Sequence, residues 1–113
     1  MNILDFSDIF GIQDEYYYEK DNMTFWSIEP LDSYKKKINQ ICKMLKSLLP
    51  SSLYSKLLYG NVQIRGDYLS NAAAQYWEDN DIIILNIDFD VYLLVKNLIH
   101  ELGHRWYDKF ANS

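Results

Sequence analysis

The sequence predicts a small α+β domain: an antiparallel or mixed sheet of about three strands packed on two to three helices, with an added N-terminal β-hairpin arm. Apolar residues recur at helical spacing over residues 31–58 and again over 90–110, whereas 62–87 is rich in β-formers interrupted by turn residues. A hydrophobic content of 49% in 113 residues supports one core. The acidic, aromatic residues 1–30 share neither pattern and are set apart as an arm from a core over 31–113.

Taken in order, Ile3, Leu4, Phe6, Ile9, Phe10 and Ile12 cluster among acids and suit a short helix or an irregular arm. Residues 16–18 and 23–28 flank a turn-like Glu19-Lys20-Asp21-Asn22, which reads as a hairpin. Its aromatic residues are either cross-strand sheet contacts or a surface for a partner. Pro30 introduces a helix with Asp32 or Ser33 as its N-cap, and Leu31, Tyr34, Ile38, Ile41, Leu45 and Leu48 keep helical spacing until Pro50 stops it. Ser51 can cap a second, shorter helix in which Leu53, Tyr54, Leu57 and Leu58 pack inward before Gly60 ends it. Residues 62–65 alternate as a strand. Residues 72–77 and 82–87, joined by a tight turn at Asp79-Asn80, form an antiparallel pair whose Ile-rich member is buried on both faces. The Ala-rich member is the less covered one, and an edge strand of that kind offers unpaired main-chain groups to an extended peptide. The last helix runs from about Asp90 to Phe110, with Asp88 and Asp90 as caps or dipole partners ahead of metal ligands. Gly103, inside that helix, suggests close approach by another backbone.

Composition excludes several function classes. No apolar run approaches the roughly 18 residues of a membrane span, and residues 1–10 lack the pattern of a signal peptide, so a cytoplasmic location without membrane contact is expected. Cys42 is the only cysteine, which precludes an internal disulfide and a Cys-rich zinc site and marks a small buried hydrophobe. The net charge of -5 is unevenly spread: eight acids against Lys20 over residues 1–34, six Lys and no acid over 35–60, and eight acids against four bases over 61–113. The lysines fall between apolar helical positions, as on a solvated helix face. An acidic chain without an Arg cluster does not suit nucleic-acid binding.

Only one stretch specifies a chemistry. In Ile99-His100-Glu101-Leu102-Gly103-His104-Arg105-Trp106 the two histidines are four apart, so on a helix they share one face and can converge on a zinc ion at roughly 2.0 to 2.1 Å. Turning 100° per residue, Val91, Val95, Leu98, Ile99, Leu102, Trp106 and Phe110 gather on an apolar stripe, with His100 and His104 on the other side beside Asn97 and Glu101. These are the only two histidines in the chain. Glu101, between them, is placed to act as general base toward a water activated by the metal.

The motif resembles that of the zincin metallopeptidases, and the order of elements ending in a helix that reads LIHELGHRWYDKF resembles small gluzincin-type cores of bacterial and phage proteins. The resemblance spans roughly Leu31 to Phe110. It implies His100 and His104 as zinc ligands, Glu101 as catalytic base, and a strand along the cleft, which places Ala73, Gln75 and Tyr76 at the substrate. It also implies a third ligand. Asp108 continues the i, i+4, i+8 series but lies about 12 Å of helix from the first. Glu78, Asp79, Asp81 or an acid of the arm remain open, as do a missing C-terminal segment or another subunit. The expected function is a zinc-dependent peptidase, or the catalytic half of one, acting on a peptide or protein. The alternatives are a phage or mobile-element protein that uses the scaffold to bind and inhibit a host protein in the host cytoplasm, and an assembly module with a structural metal.

Overall fold

The computed structural model describes residues 16–27, 34–67 and 72–111. The arm expected around residues 3–12 and the N-caps expected at Asp32 or Ser33 lie outside them. The described chain runs β1 (Tyr17–Lys20), β2 (Met23–Trp26), α1 (Lys35–Leu48), α2 (Ser51–Leu57), β3 (Val62–Asp67), β4 (Ala74–Trp77), β5 (Ile82–Asn86) and α3 (Val91–Phe110).

The α+β class holds, but among the described residues the sheet has five strands, in the order β1-β2-β3-β5-β4. The expected count of three separated the N-terminal hairpin from the sheet. In the structure α1 and α2 form a crossover that returns the chain in its original direction, so β2 pairs in parallel with β3 and the hairpin becomes one edge of the same sheet. β3 and β5 are also parallel, while the outer pairs, β1 with β2 and β4 with β5, are antiparallel. The sheet is therefore mixed.

Alternation along the strands sends Met23 and Phe25, Val62 and Ile64, Ile83 and Leu85, and Ala74 to one face, which the pairing registers align across the sheet. Against that face pack Ile38, Ile41, Cys42 and Leu45 of α1, Leu57 and Leu58 at the end of α2, and Leu94, Val95, Leu98 and Leu102 of α3, in one continuous core. Full burial of each large aliphatic side chain contributes roughly 1.5 to 3 kcal/mol. Cys42 is wholly buried, as its pattern predicted, and burial pushes its thiol up to about 12. β5 is covered on both faces, with Ile83, Ile84 and Leu85 all buried, whereas β4 exposes Gln75 and Trp77.

Three local expectations are corrected. Ser51 is the first residue of α2 and makes no cap, because Pro50 takes the N-cap position. Leu53 is 41% exposed, since so short a helix turns only Leu57 and Leu58 fully inward, with Tyr54 half-buried. Beyond its own chain neighbours and helix backbone, Gly103 has no atom within 4 Å of where a Cβ would stand, so no neighbouring element requires glycine there. Among the described residues no helix is long and apolar enough to cross a membrane.

Candidate metal centre

α3 begins at Asp90, whose carboxylate accepts a hydrogen bond from the Leu93 N–H at 3.0 Å, the capping role expected of it. The helix packs on α1, α2, β4 and β5. Its buried stripe is Leu94, Val95, Leu98, Leu102 and Arg105. Phe110, expected on that stripe, is 54% exposed, and the sequence reading did not include Arg105. The signal for Arg105 was present: it lies three residues past Leu102 on the apolar side, and a charge there needs a buried partner.

The opposite side carries His100 and His104. Their rings meet edge to face with centroids 4.5 Å apart, and their Nε2 atoms are 3.0 Å apart. Two nitrogens bound to one tetrahedral zinc at roughly 2.0 to 2.1 Å stand about 3.3 Å from each other, so the pair fits a shared ion with only a small opening. The His100 side chain is 68% exposed and the Glu101 side chain 14%. Glu101 is held on one side, where Oε1 accepts the main-chain N–H of Tyr76 at 3.0 Å, while Oε2 lies 4.0 Å from His100 Nε2. Donor atoms of His100, Glu101 and His104 all lie within 4.8 Å of one another, a group able to hold a metal ion.

The strand register explains why a β4 amide reaches this helix. Asn86 N–H donates to Ala73 C=O at 2.8 Å, and Ala74 faces Leu85 while Tyr76 faces Ile83. Antiparallel pairs alternate between bonded and non-bonded, so Gln75 directs its main-chain groups at β5, while Ala74 and Tyr76 direct theirs outward at the sheet edge. Of the residues expected at a substrate, Tyr76 thus presents its backbone at the edge. Ala73 bonds into the hairpin, and Gln75 offers an exposed side chain. Ala74, not singled out by sequence, shares the outward position with Tyr76.

Tyr76, Glu78, Glu101, His104, Tyr107 and Asp108 line an open groove of about 350 Å³ beside the histidines. Glu78 and Asp108 thus reach the same groove as His104 without joining the three-residue group, and Asp81 is turned elsewhere, onto Arg105. Burial, the hydrogen bond its hydroxyl donates to Asp81, and the charges of Asp81 and Asp108 together raise the Tyr76 phenol well above the usual tyrosine range, partly offset by Arg105. No protein-family model, curated protein or solved structure matches this chain.

Proposed function

We propose that the chain is the catalytic unit of a zinc-dependent peptidase of the zincin kind, acting on an extended segment of a peptide or protein. The observation that carries the reading is that two imidazoles are spaced for one ion, and that His104 of that pair, the Glu101 carboxylate and Tyr76 of the edge strand, whose N–H binds Glu101, line one groove. His100 and His104 hold the zinc, which when bound polarises the scissile carbonyl and lowers the pKa of water. Ala74 N–H and C=O and Tyr76 C=O bind the substrate main chain by strand addition. Glu101 takes the proton from the attacking water and passes it to the leaving amine. Its anchorage by the Tyr76 N–H supports this role, because it fixes one carboxylate oxygen and leaves the other directed toward His100. The reading requires a third protein ligand; among the described residues Glu78 and Asp108 line the groove with His104 without joining the three-residue group.

The test starts with elemental analysis of chain purified without chelator. Stoichiometric zinc is expected, lost in His100→Ala and in His104→Ala. Glu101→Gln should keep the metal and lower kcat by about 10²- to 10⁴-fold. Absence of zinc, or zinc indifferent to both histidine substitutions, overturns the proposal. Zinc with hydrolysis that survives Glu101→Gln removes Glu101 from its role.

A further inference from the structure

Outside the histidines and Glu101, Asp81, in the turn between β4 and β5, links the strand to the helix. Its backbone is left-handed, with φ of 54°. Oδ1 accepts from Arg105 Nε at 3.0 Å and from the Tyr76 hydroxyl at 3.1 Å, and Oδ2 lies 3.6 Å from Lys109 Nζ. Arg105 is 3% exposed, donates from Nη1 to the Tyr59 carbonyl at 3.2 Å and lies over the Tyr59 ring at 4.4 Å.

These contacts join Asp81 to the proposed site by two routes. Through the Tyr76 hydroxyl it holds the strand residue whose amide binds Glu101, and through Arg105 it holds the helix one residue beyond His104. We infer that Asp81 is a positioning residue for the peptidase proposed above: it clamps β4 to α3, so that the Tyr76 N–H fixes the Glu101 carboxylate beside His100 and His104. The inference rests on that reading for its catalytic consequence, while the clamp itself is a property of the strand and helix. With one oxygen committed to the strand, Glu101 keeps the other free toward His100, and its rotation is restricted before any substrate arrives. Displacement of a reacting group by about 1 Å can cost 10²-fold in rate, so loosening the strand acts on turnover. Asp81 touches none of the proposed metal ligands. Asp81 is 32% exposed but Arg105 only 3%, so loss of the carboxylate also takes the ionic partner from a buried guanidinium, a cost to stability that Asp81→Asn, which keeps an acceptor, reduces. The placement of Glu101 is therefore read locally, against amides elsewhere in the sheet.

The experiment compares the full zinc-loaded chain with Asp81→Ala, Tyr76→Phe and Asp81→Asn, the last keeping an acceptor for both donors. Amide hydrogen exchange at position 76 is read by NMR against the amides of Ile83 and Leu85, which face β3. Asp81→Ala and Tyr76→Phe should each lower protection at position 76 by about 10-fold or more while Ile83 and Leu85 stay within about 2-fold, and Asp81→Asn should restore most of it. With fluorescein-labelled casein as probe, Asp81→Ala should lower kcat by about 10-fold or more, with KM within about 3-fold and zinc content unchanged. Unchanged protection at position 76, or protection lost equally at all three amides, overturns the clamp. Casein left uncleaved by the unsubstituted chain counts against the peptidase reading, and the exchange result then decides the clamp alone. A clamp lost with kcat intact refutes the positioning role.

Discussion

The two hairpins at opposite edges of the sheet use one backbone device for different ends. In β1–β2 the two-residue turn Asp21-Asn22 has φ of 52° and 67°, and in β4–β5 Asp81 has φ of 54°. Asparagine and aspartate tolerate this conformation better than other residues with a Cβ. From each turn a short polar side chain reaches the layer of helices. Asn22 Nδ2 donates to the carbonyls of Leu58 and Gly60, both at 2.7 Å, between α2 and β3. Asp81 takes the guanidinium of Arg105 instead. The neutral tie seals a structural edge whose inner strand is already paired to β3. The ionic tie requires a buried arginine on α3 and leaves the edge of β4 facing the histidines. The sheet therefore has one edge hairpin tied to the helices by a neutral side chain and one tied by an ionic one, and the second carries the Tyr76 amide that binds Glu101.

Removing the ionic tie should produce the larger effect. Arg105→Met is expected to cost about 3 kcal/mol in denaturant unfolding, near the lower limit for breaking a buried pair, because Asp81 can turn to water while the Tyr59 carbonyl loses its donor. Asn22→Ala removes two hydrogen bonds and the short polar side chain that makes positive φ tolerable there, for about 2 kcal/mol. A larger loss in Asn22→Ala than in Arg105→Met would mean that the structural edge, and not the one beside the histidines, is the more tightly fixed. Gly103→Ala provides a smaller contrast within α3. With open space where the Cβ would stand, it should stabilise the chain by about 1 kcal/mol through helix propensity. Destabilisation would show that something approaches Gly103 after all.

What could be read from sequence divides along the same line. Both hairpins, the three helices and the exposed side of His100 and His104 follow from patterns a few residues long. The parallel pairing of β2 with β3 does not, because it depends on how a crossover of two helices returns the chain, and no local period records that. The Glu101 contact with Tyr76 also lies beyond sequence, since it requires the register of β4 on β5 to turn that amide outward. Arg105 was legible in principle as a charge on an apolar stripe. Asp81 was not, because an acid in a tight turn is ordinary turn chemistry until its partner is known. Gly103 misled for the opposite reason: a helical glycine suggests crowding, and here the space is open.

The smallest expected effect separates the hairpins by their tyrosines. The Tyr17 hydroxyl donates to Glu19 on β1, and that hydrogen bond, ahead of burial and the Glu19 charge, pushes its phenol up to about 12. Tyr76 is also raised, but burial comes first and the bond to Asp81 second. Glu19→Gln should therefore bring Tyr17 most of the way back toward the usual value near 10, whereas Asp81→Asn should leave Tyr76 well above it. Site-resolved NMR titration of ring-labelled tyrosine reads both. A phenol raised by folding keeps its proton longer in the folded chain than in the unfolded one. Its contribution to stability is thus complete below pH about 10 and is lost as pH rises from there through the folded value. Tyr76→Phe should flatten the fall in stability above pH 10 and leave the profile below it unchanged. Equal responses of the two tyrosines to loss of their carboxylates would show that the β4 edge, like the β1 edge, sits in solvent, and the distinction between the two hairpins would then rest on Arg105 alone.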